Sequence, residues 1–225
     1  MFIMKKAITA ALAAIVTLGM FTASASAKDY EIGDTVTFGT YEQDNNRKDG
    51  AEDIQWIVLD KQDGRLMLIS RYCLDSKPYN DTLEATNWEY CSLRQWLNED
   101  FYNAAFTEEE QERIFVETNE NPEHDPYKTS SGRTTVDRVS VLSQEEANSL
   151  FTTVTERMAA PTAYAKAHGA YLNPKTKTAW WWLRTTSYLN DHVTYTTSLG
   201  GVSVNGREVT RQDAGVRPVI WITVE

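Results

Sequence analysis

Two arginines stand among apolar residues near the C-terminus and are the first candidates for chemistry. Arg184 follows Trp180-Trp181-Trp182-Leu183, and Arg217 lies within Gly215-Val216-Arg217-Pro218-Val219. A guanidinium in such surroundings needs a carboxylate or several carbonyls, because an unpaired buried charge is strongly destabilising. We therefore expect structural ion pairs, and recognition of an acidic ligand is the alternative. The acidic residues considered as partners are Glu89, Asp100 and Asp137.

A second group of chemically capable residues lies in the irregular segment 119–132. It contains Glu120, Glu123, His124 and Asp125, which invite an acid/base or metal-binding interpretation. Their spacing matches none of the established zinc or calcium motifs, so we expect a solvated loop, no metal and no cofactor. The chain also lacks Gly-x-Ser-x-Gly and Ser-x-x-Lys motifs, and neither cysteine stands in a recognisable nucleophile context.

The only two cysteines, Cys73 and Cys91, leave two alternatives open. In an exported chain they could pair, and closing that loop would stabilise the fold by about 3 kcal/mol. They could equally be two buried free thiols.

Residues 1–27 are typical of a secretory signal sequence. Lys5 and Lys6 precede an apolar run over residues 7–21, and Ala25-Ser26-Ala27 offers a small-x-small cleavage site. The apolar run is shorter than the roughly 20 residues of a spanning helix, so we expect no stable membrane insertion. The sequence thus predicts a secreted or cell-surface protein whose mature chain begins at Lys28.

The rest of the chain is long enough for one domain with a substantial core. Removing 27 residues from 225 leaves 198. The net charge of −10 becomes −12 when Lys5 and Lys6 are subtracted, and this acidity argues against nucleic acid and anionic lipid as partners.

The elements that would position these residues follow from periodicity and turn signals. Alternation predicts strands over residues 33–41, 54–60 and 65–72, with Asp63-Gly64 as a hairpin turn. Further predicted elements are a strand over 136–142, a short helix over 161–168, and helices opened by capping boxes at Ser92, Thr107 and Ser143. Trp56 and Trp96 are expected to be packing residues.

The C-terminal stretch from 180 to 222 predicts a small antiparallel sheet that forms the core. Alternation sends Trp180 and Trp182 to one face and Trp181 to the other, and Trp221 belongs to the closing strand. Asn205-Gly206 is typical of a hairpin turn. The predicted fold is α+β, with an N-terminal hairpin, inserted helices and this sheet.

Several ordered blocks carry a family resemblance. They comprise Trp181-Trp182-Leu183-Arg184-Thr185, the closing Gly215-Val216-Arg217-Pro218 with Trp221-Ile222, and upstream blocks at 32–41, 54–59, 92–98 and 141–147. The sequence resembles a family of bacterial extracellular domains of unknown function, number 6273. A more distant resemblance is to C-type-lectin-like folds, including the formylglycine-generating-enzyme branch. The calcium motif and the reactive cysteine pair of those relatives are absent, so neither activity is carried over.

Secretion, acidity and the lack of a catalytic motif favour a non-catalytic binding module for an extracellular glycan, peptide or protein. The lectin-like resemblance implies a recognition surface on loops between the final strands. The residues predicted there are Tyr188, Asn190, Asp191 and Arg207. The alternative is a secreted hydrolase that acts on surface polymers through a carboxylate pair, for which Glu120 and Glu123 are the candidates.

Overall fold

The computed structural model describes residues 29–124 and 127–224, and the fold is α+β as predicted. The predicted signal sequence and Asp125 lie outside the described residues. Within the described part of the chain, no helix is long and apolar enough to cross a membrane.

The first sheet joins the two ends of the described chain. Its strands lie in the order β1-β2-β3-β12-β5, and all neighbours are antiparallel. Their bounds are Thr35–Tyr41 (β1), Glu52–Gln62 (β2), Arg65–Ser70 (β3), Ile114–Phe115 (β5) and Val219–Thr223 (β12). The predicted turn at Asp63-Gly64 is confirmed: both residues have positive φ (49° and 73°), which the tight β2–β3 hairpin requires.

The second sheet has the order β10-β9-β8-β11-β4 and is mixed, because β11 pairs in parallel with β8. Its strands are Asp75–Ser76 (β4), Trp181–Thr186 (β8), His192–Thr196 (β9), Val202–Glu208 (β10) and Gly215–Val216 (β11). The predicted single C-terminal sheet is therefore wrong in one respect. The chain changes sheets at Arg217-Pro218, so β11 and β12 belong to different sheets.

A third, two-stranded sheet pairs β6 (Glu117–Asn119) with β7 (Thr135–Asp137). The strand predicted over 136–142 is shorter than expected, because after Asp137 the chain makes only an isolated bridge from Ser140 to Val219.

The helices are short and follow their caps. They are α1 (Ser92–Trp96), which continues through a π-helical turn (Leu97–Phe101) into α2 (Tyr102–Ala105), then α3 (Glu108–Arg113), α4 (Gln144–Ser149) and α5 (Ala163–Ala167). The capping boxes at Thr107 and Ser143 are confirmed. The box at Ser92 is wrong: Cys91 holds the N-cap position and makes no side-chain cap.

Side chains from both faces of the sheets are buried, in two hydrophobic clusters. Alternation along β3 sends Leu66 and Leu68 to the larger cluster, and Met67 and Ile69 to the smaller one. The tryptophans behave as predicted, since Trp180 and Trp182 lie in the larger cluster and Trp181 in the smaller. Trp56, Trp180 and Trp182 are buried, whereas Trp96 and Trp221 are half-buried.

The two thiols are buried and free, so the structure has the second of the two alternatives and no disulfide between Cys73 and Cys91. Cys73 lies in the smaller cluster and Cys91 in the larger one. Burial raises the pKa of each thiol to about 12. Cys73 also abuts Gly215, where a Cβ would lie only 2.6 Å from the Cys73 Sγ, so β11 can pass at this point only with glycine.

Candidate binding site

A pocket of about 350 Å³ opens beside the second sheet, and Arg207 lies in it. Four segments of the chain contribute to it: the first part of the loop after α5, the residue before β8, the β9–β10 hairpin, and the loop from β10 to β11. The lining residues are Tyr171, Trp180, Tyr195, Thr197, Ser198, Arg207, Arg211 and Asp213. We call this the Arg207 pocket.

The pairing register places Arg207 over aromatic rings. Tyr195 lies opposite Trp182 on β8 and opposite Ser203 on β10, so these side chains share the face that carries Trp180. Between Ser203 and Arg207 the β10 register shifts. This bulge contains Asn205-Gly206, which was predicted as a hairpin turn and is instead inside a strand.

Gly206 has a φ of 70°, and a Cβ there would lie 2.4 Å from the Ser187 Oγ. Only glycine therefore fits the bulge. The turn that joins β9 to β10 is formed by residues 197–201, where the Thr197 N–H donates to the Gly201 carbonyl at 2.7 Å.

The guanidinium of Arg207 packs on two rings. Its central carbon is 4.7 Å from the centroid of Trp180 and 4.9 Å from that of Tyr195, and the two rings meet edge to face at 5.3 Å. The Nε of Arg207 is buried and has no hydrogen-bond partner among the described residues. Burial tends to raise the pKa of Tyr195, but hydrogen bonds with Ser203 and Arg207 and the charge of Arg207 outweigh it and lower that pKa.

The other charged residues of the pocket neutralise each other. Arg211 donates to both carboxylate oxygens of Asp213 at 2.9 Å, which raises the pKa of the guanidinium. The Trp180 Nε1 also donates to Asp213, at 3.4 Å. Among the described residues, Asp213 is the only carboxylate that lines the pocket, and it already has these partners, so the described lining does not supply the carboxylate pair that glycoside hydrolysis needs.

The other three residues of the predicted recognition surface lie elsewhere. Tyr188 is exposed on the β8–β9 turn, where its ring contacts Tyr127 (5.7 Å between centroids) and His192 (6.1 Å). The Asn190 carbonyl accepts from the Thr86 N–H at 3.0 Å, and Asp191 pairs with His192 at 2.7 Å. The structure thus separates the Tyr188 turn from the Arg207 pocket.

Segment 119–132 is not the solvated loop that the sequence predicts. Asn119, Asn121, His124 and Ser131 are buried. Asn121 accepts a hydrogen bond from the Arg184 Nε at 3.2 Å, and the Ser131 and Thr186 hydroxyls lie 2.9 Å apart. Asn121 and Ser131 therefore anchor the described parts of the segment to β8, while Glu120 and Glu123 remain exposed.

Arg184 is an ion-pair residue, but with a different partner from those predicted. Its guanidinium makes a bidentate contact with Glu146 and also donates to the Val141 carbonyl at 3.0 Å. Asp137 is paired with Arg94 (2.5 Å), Glu89 with Arg133, and Asp100 is exposed. The sequence did not indicate Glu146 as the partner of Arg184, because the capping box of α4 already explains a glutamate at this position.

Arg217 is fully buried and has no carboxylate partner among the described residues, so the predicted ion pair is wrong here. It donates instead to the carbonyls of Ser70 (2.9 Å) and Arg157 (3.2 Å), and it packs on Trp181 and Phe151. Desolvation lowers its pKa to about 10. These contacts hold the point where the chain changes sheets, and they leave Arg217 no role at the surface.

An acidic cleft of about 400 Å³ is lined in part by Arg184 and Glu120. Its carboxylates are Asp60, Glu117, Glu120, Glu145 and Glu146. Glu123 does not line this cleft. The cleft places one of the two candidate catalytic carboxylates in a concave surface.

Among the described residues, one group of carboxylates is close enough to hold a cation. Oxygens of Glu42, Asp44 and Glu52 lie within 4.8 Å of one another. They already accept backbone N–H groups, for instance from Gln43 to Glu52 at 2.6 Å and from Asn46 to Asp44 at 2.7 Å. These hydrogen bonds stabilise the loop that carries the three carboxylates.

The sequence did not indicate Tyr171, Tyr195, Arg211 or Asp213 as site residues. Period-two alternation predicts that Tyr195 and Val193 lie on the same face of β9. Only the β8–β9 register shows on which face of the second sheet they lie. Tyr171 reaches the pocket because its backbone N–H donates to the Asp213 carbonyl at 2.9 Å, a contact between distant segments.

Comparison with known proteins gave one match. The family model described as Domain of unknown function (DUF6273) matches residues 63–224. No curated protein and no solved structure matched the chain. The resemblance blocks at 92–98 and 141–147 and those of the C-terminal strands fall inside the matched range, whereas the blocks at 32–41 and 54–59 precede it. Because the match covers more than half of the chain, the protein belongs to the DUF6273 family of domains of unknown function.

Proposed function

We propose that this protein is a secreted, non-catalytic binding module of a bacterial cell surface, and that its ligand occupies the Arg207 pocket. The observation that carries the proposal is the composition of the pocket: aromatic rings, hydroxyls and an arginine without a carboxylate partner among the described residues. Pockets that combine apolar surface with a few fixed polar groups are the usual sites for small ligands. Export by the predicted signal sequence would bring this pocket to extracellular glycans, peptides or proteins.

The proposed fold relationship is to C-type-lectin-like domains. In those folds the loops between the final strands form the recognition surface. The Arg207 pocket is built from that part of this chain, since the β9–β10 hairpin and the loop after β10 line it. This relationship supports a binding role and predicts neither calcium nor a catalytic thiol.

The test is a binding screen of the purified protein against cell-wall glycans and peptides, with mass spectrometry of the mixtures for products. We expect saturable binding without product. Tyr171→Ala should weaken binding, and Tyr188→Ala, in an equally exposed tyrosine outside the pocket, should not. A loss of binding only in the Tyr188 variant would move the site to the β8–β9 turn.

The second candidate function is a hydrolase that uses the acidic cleft. It is favoured by the position of Glu120, which shares the cleft with Glu117, Asp60 and Glu145. A product in the same screen that disappears with Glu120→Gln, while ligand is still bound, would support the hydrolase and overturn the binding-only proposal.

A further inference from the structure

The Arg207 pocket is a local positive site on an acidic protein. The chain has a net charge of −10, and the pocket contains two arginines and one aspartate. Arg211 and Asp213 form a bidentate pair, which leaves the charge of Arg207 uncompensated by any carboxylate among the described residues. A ligand that carries a negative charge would supply the missing partner.

The orientation of Arg207 favours a planar anion. Trp180 and Tyr195 lie within 5 Å of the guanidinium carbon, so these two rings fix the position of the group in the pocket. The Nε is buried, so a ligand in the pocket would meet the terminal nitrogens of the guanidinium. A guanidinium edge offers two parallel N–H donors, a geometry that a carboxylate accepts in bidentate fashion.

The rest of the lining favours a hydroxyl-rich ligand over an apolar one. The lining residues Tyr171, Thr197 and Ser198 each carry a hydroxyl group, and Tyr171 is 39% exposed. Trp180 is 3% exposed and packs against Arg207, so its ring adds little apolar surface to the pocket. A sugar ring can rest on the exposed Tyr171 ring while its hydroxyls meet polar groups.

We propose that the ligand is a saccharide that carries a carboxylate, such as a uronic acid unit, with its carboxylate on the Arg207 edge and its ring beside Tyr171. This inference rests on the proposed binding function and narrows it to one ligand class. It assigns Arg207 the selection of the acidic group and Tyr171 the contact with the ring.

The experiment is isothermal titration of the purified protein with a trimer of galacturonic acid, its methyl ester, and a neutral galactose trimer. We expect the acid to bind at least tenfold more tightly than the ester or the neutral trimer. Affinity for the acid should fall as salt is raised, since the contact with Arg207 is charged and partly exposed. This comparison uses the unaltered protein and therefore does not depend on any variant folding.

Three variants test whether Arg207 makes the contact with the acidic group. Arg207→Gln should weaken acid binding at least tenfold and remove the difference between acid and ester, and Arg207→Lys should restore it only in part. Arg138→Gln is the matched control, because Arg138 also packs on a ring, that of Tyr102 at 5.3 Å, and lies outside the pocket. Equal melting temperatures for the variants and the parent protein establish that each is folded.

The outcomes separate the inference from the proposed function. Equal binding of acid and ester, no binding of the acid, or unchanged binding in Arg207→Gln overturns the acidic-saccharide inference. If a neutral glycan still binds in a Tyr171-dependent manner, the proposed binding function stands and only the acidic-saccharide inference fails. A peptide that binds through its C-terminal carboxylate and Arg207, while the saccharide acid does not, also overturns the saccharide class.

Discussion

Arg217 illustrates how a single residue can be charged and buried without an ion pair. Three of its contacts are carbonyl or ring contacts at the sheet change, to Ser70, Arg157 and Trp181. The Arg157 carbonyl also accepts from the Trp181 Nε1 at 3.1 Å, so the guanidinium and the indole share one acceptor in the core. The DUF6273 chain therefore uses a guanidinium as a structural donor, although desolvation lowers its pKa to about 10.

Trp182 is the residue on which we expect the larger cluster to depend most directly. It is fully buried, its ring meets those of Trp180 and Tyr79, and its Nε1 donates to the Lys77 carbonyl at 3.0 Å. Trp182→Ala should lower the free energy of unfolding by about 3–5 kcal/mol, because it leaves a large cavity and an unpaired carbonyl. Urea unfolding measures this. Tyr188→Ala, at an exposed ring, is the control, and an equal loss in both would contradict the assignment.

The buried thiols predict a pH dependence. Their pKa of about 12 in the folded protein lies above the ordinary value of about 8.5. As pH rises through this interval the unfolded chain loses thiol protons that the folded chain keeps. The free energy of unfolding should therefore be insensitive to these groups below pH 8.5 and fall above it, by at most about 1.4 kcal/mol per pH unit for each thiol.

Urea titrations at pH 8 and pH 10 measure this, and Cys73→Ala should show a smaller difference between the two values. Thiol labelling provides the companion measurement. Both cysteines should resist alkylation in the native protein and react after unfolding without reductant. Failure to label the unfolded, unreduced chain would mean that the thiols are paired.

At the scale of elements, Glu146 links a helix start to a strand. It accepts from the Ser143 backbone N–H at 2.8 Å within the capping box of α4, and it holds the Arg184 guanidinium of β8. One carboxylate therefore satisfies the helix terminus and compensates a buried charge. This double use links α4 to β8.

Glu146→Ala should destabilise the protein by roughly 3 kcal/mol or more, because Arg184 keeps a buried charge after its partner is removed. Glu145→Ala is the matched control: Glu145 precedes it in the same helical turn and is exposed, so we expect a change of about 0.5 kcal/mol or less. Chemical denaturation of the two variants measures the two losses in the free energy of unfolding. Similar losses would show that the contribution comes from the helix dipole and not from Arg184.

At the scale of the whole molecule, the family match and the folded unit have different boundaries. The match begins at residue 63, in the β2–β3 hairpin turn, whereas β1 and β2 precede it. Trp56 of β2 is fully buried, and its Nε1 donates to the Phe38 carbonyl of β1 at 2.7 Å. We infer that residues before 63 are part of the same cooperative core.

A fragment of residues 63–225 should therefore fail to fold, because β3 would lose its β2 partner and the larger cluster would be exposed to water. The protein that begins at residue 28 is the control. Dispersed amide resonances and a cooperative melt in the fragment would show that the first two strands are dispensable.

The sequence by itself determined the local features of this protein. The capping boxes at Thr107 and Ser143, the Asp63-Gly64 turn and the opposite faces of Trp181 and Trp182 were predictable, because each depends on residues a few positions apart. The α+β class and the family followed from such patterns and from the ordered blocks. The Asn205-Gly206 prediction was wrong because a bulge and a hairpin turn both select glycine at positive φ, and only strand pairing distinguishes them.

Only the tertiary structure decided the partners of the arginines and the composition of the pocket. Arg184 pairs with Glu146, Arg217 donates to carbonyls, and Arg207 packs on Trp180 and Tyr195. These partners depend on the register of β8, β9 and β10 and on the change of sheets after β11. Many carboxylates and aromatic rings in the chain could have served each arginine equally well. The choice among them depends on which distant segments pack together, and that free energy is distributed over the whole core and leaves no local pattern in the sequence.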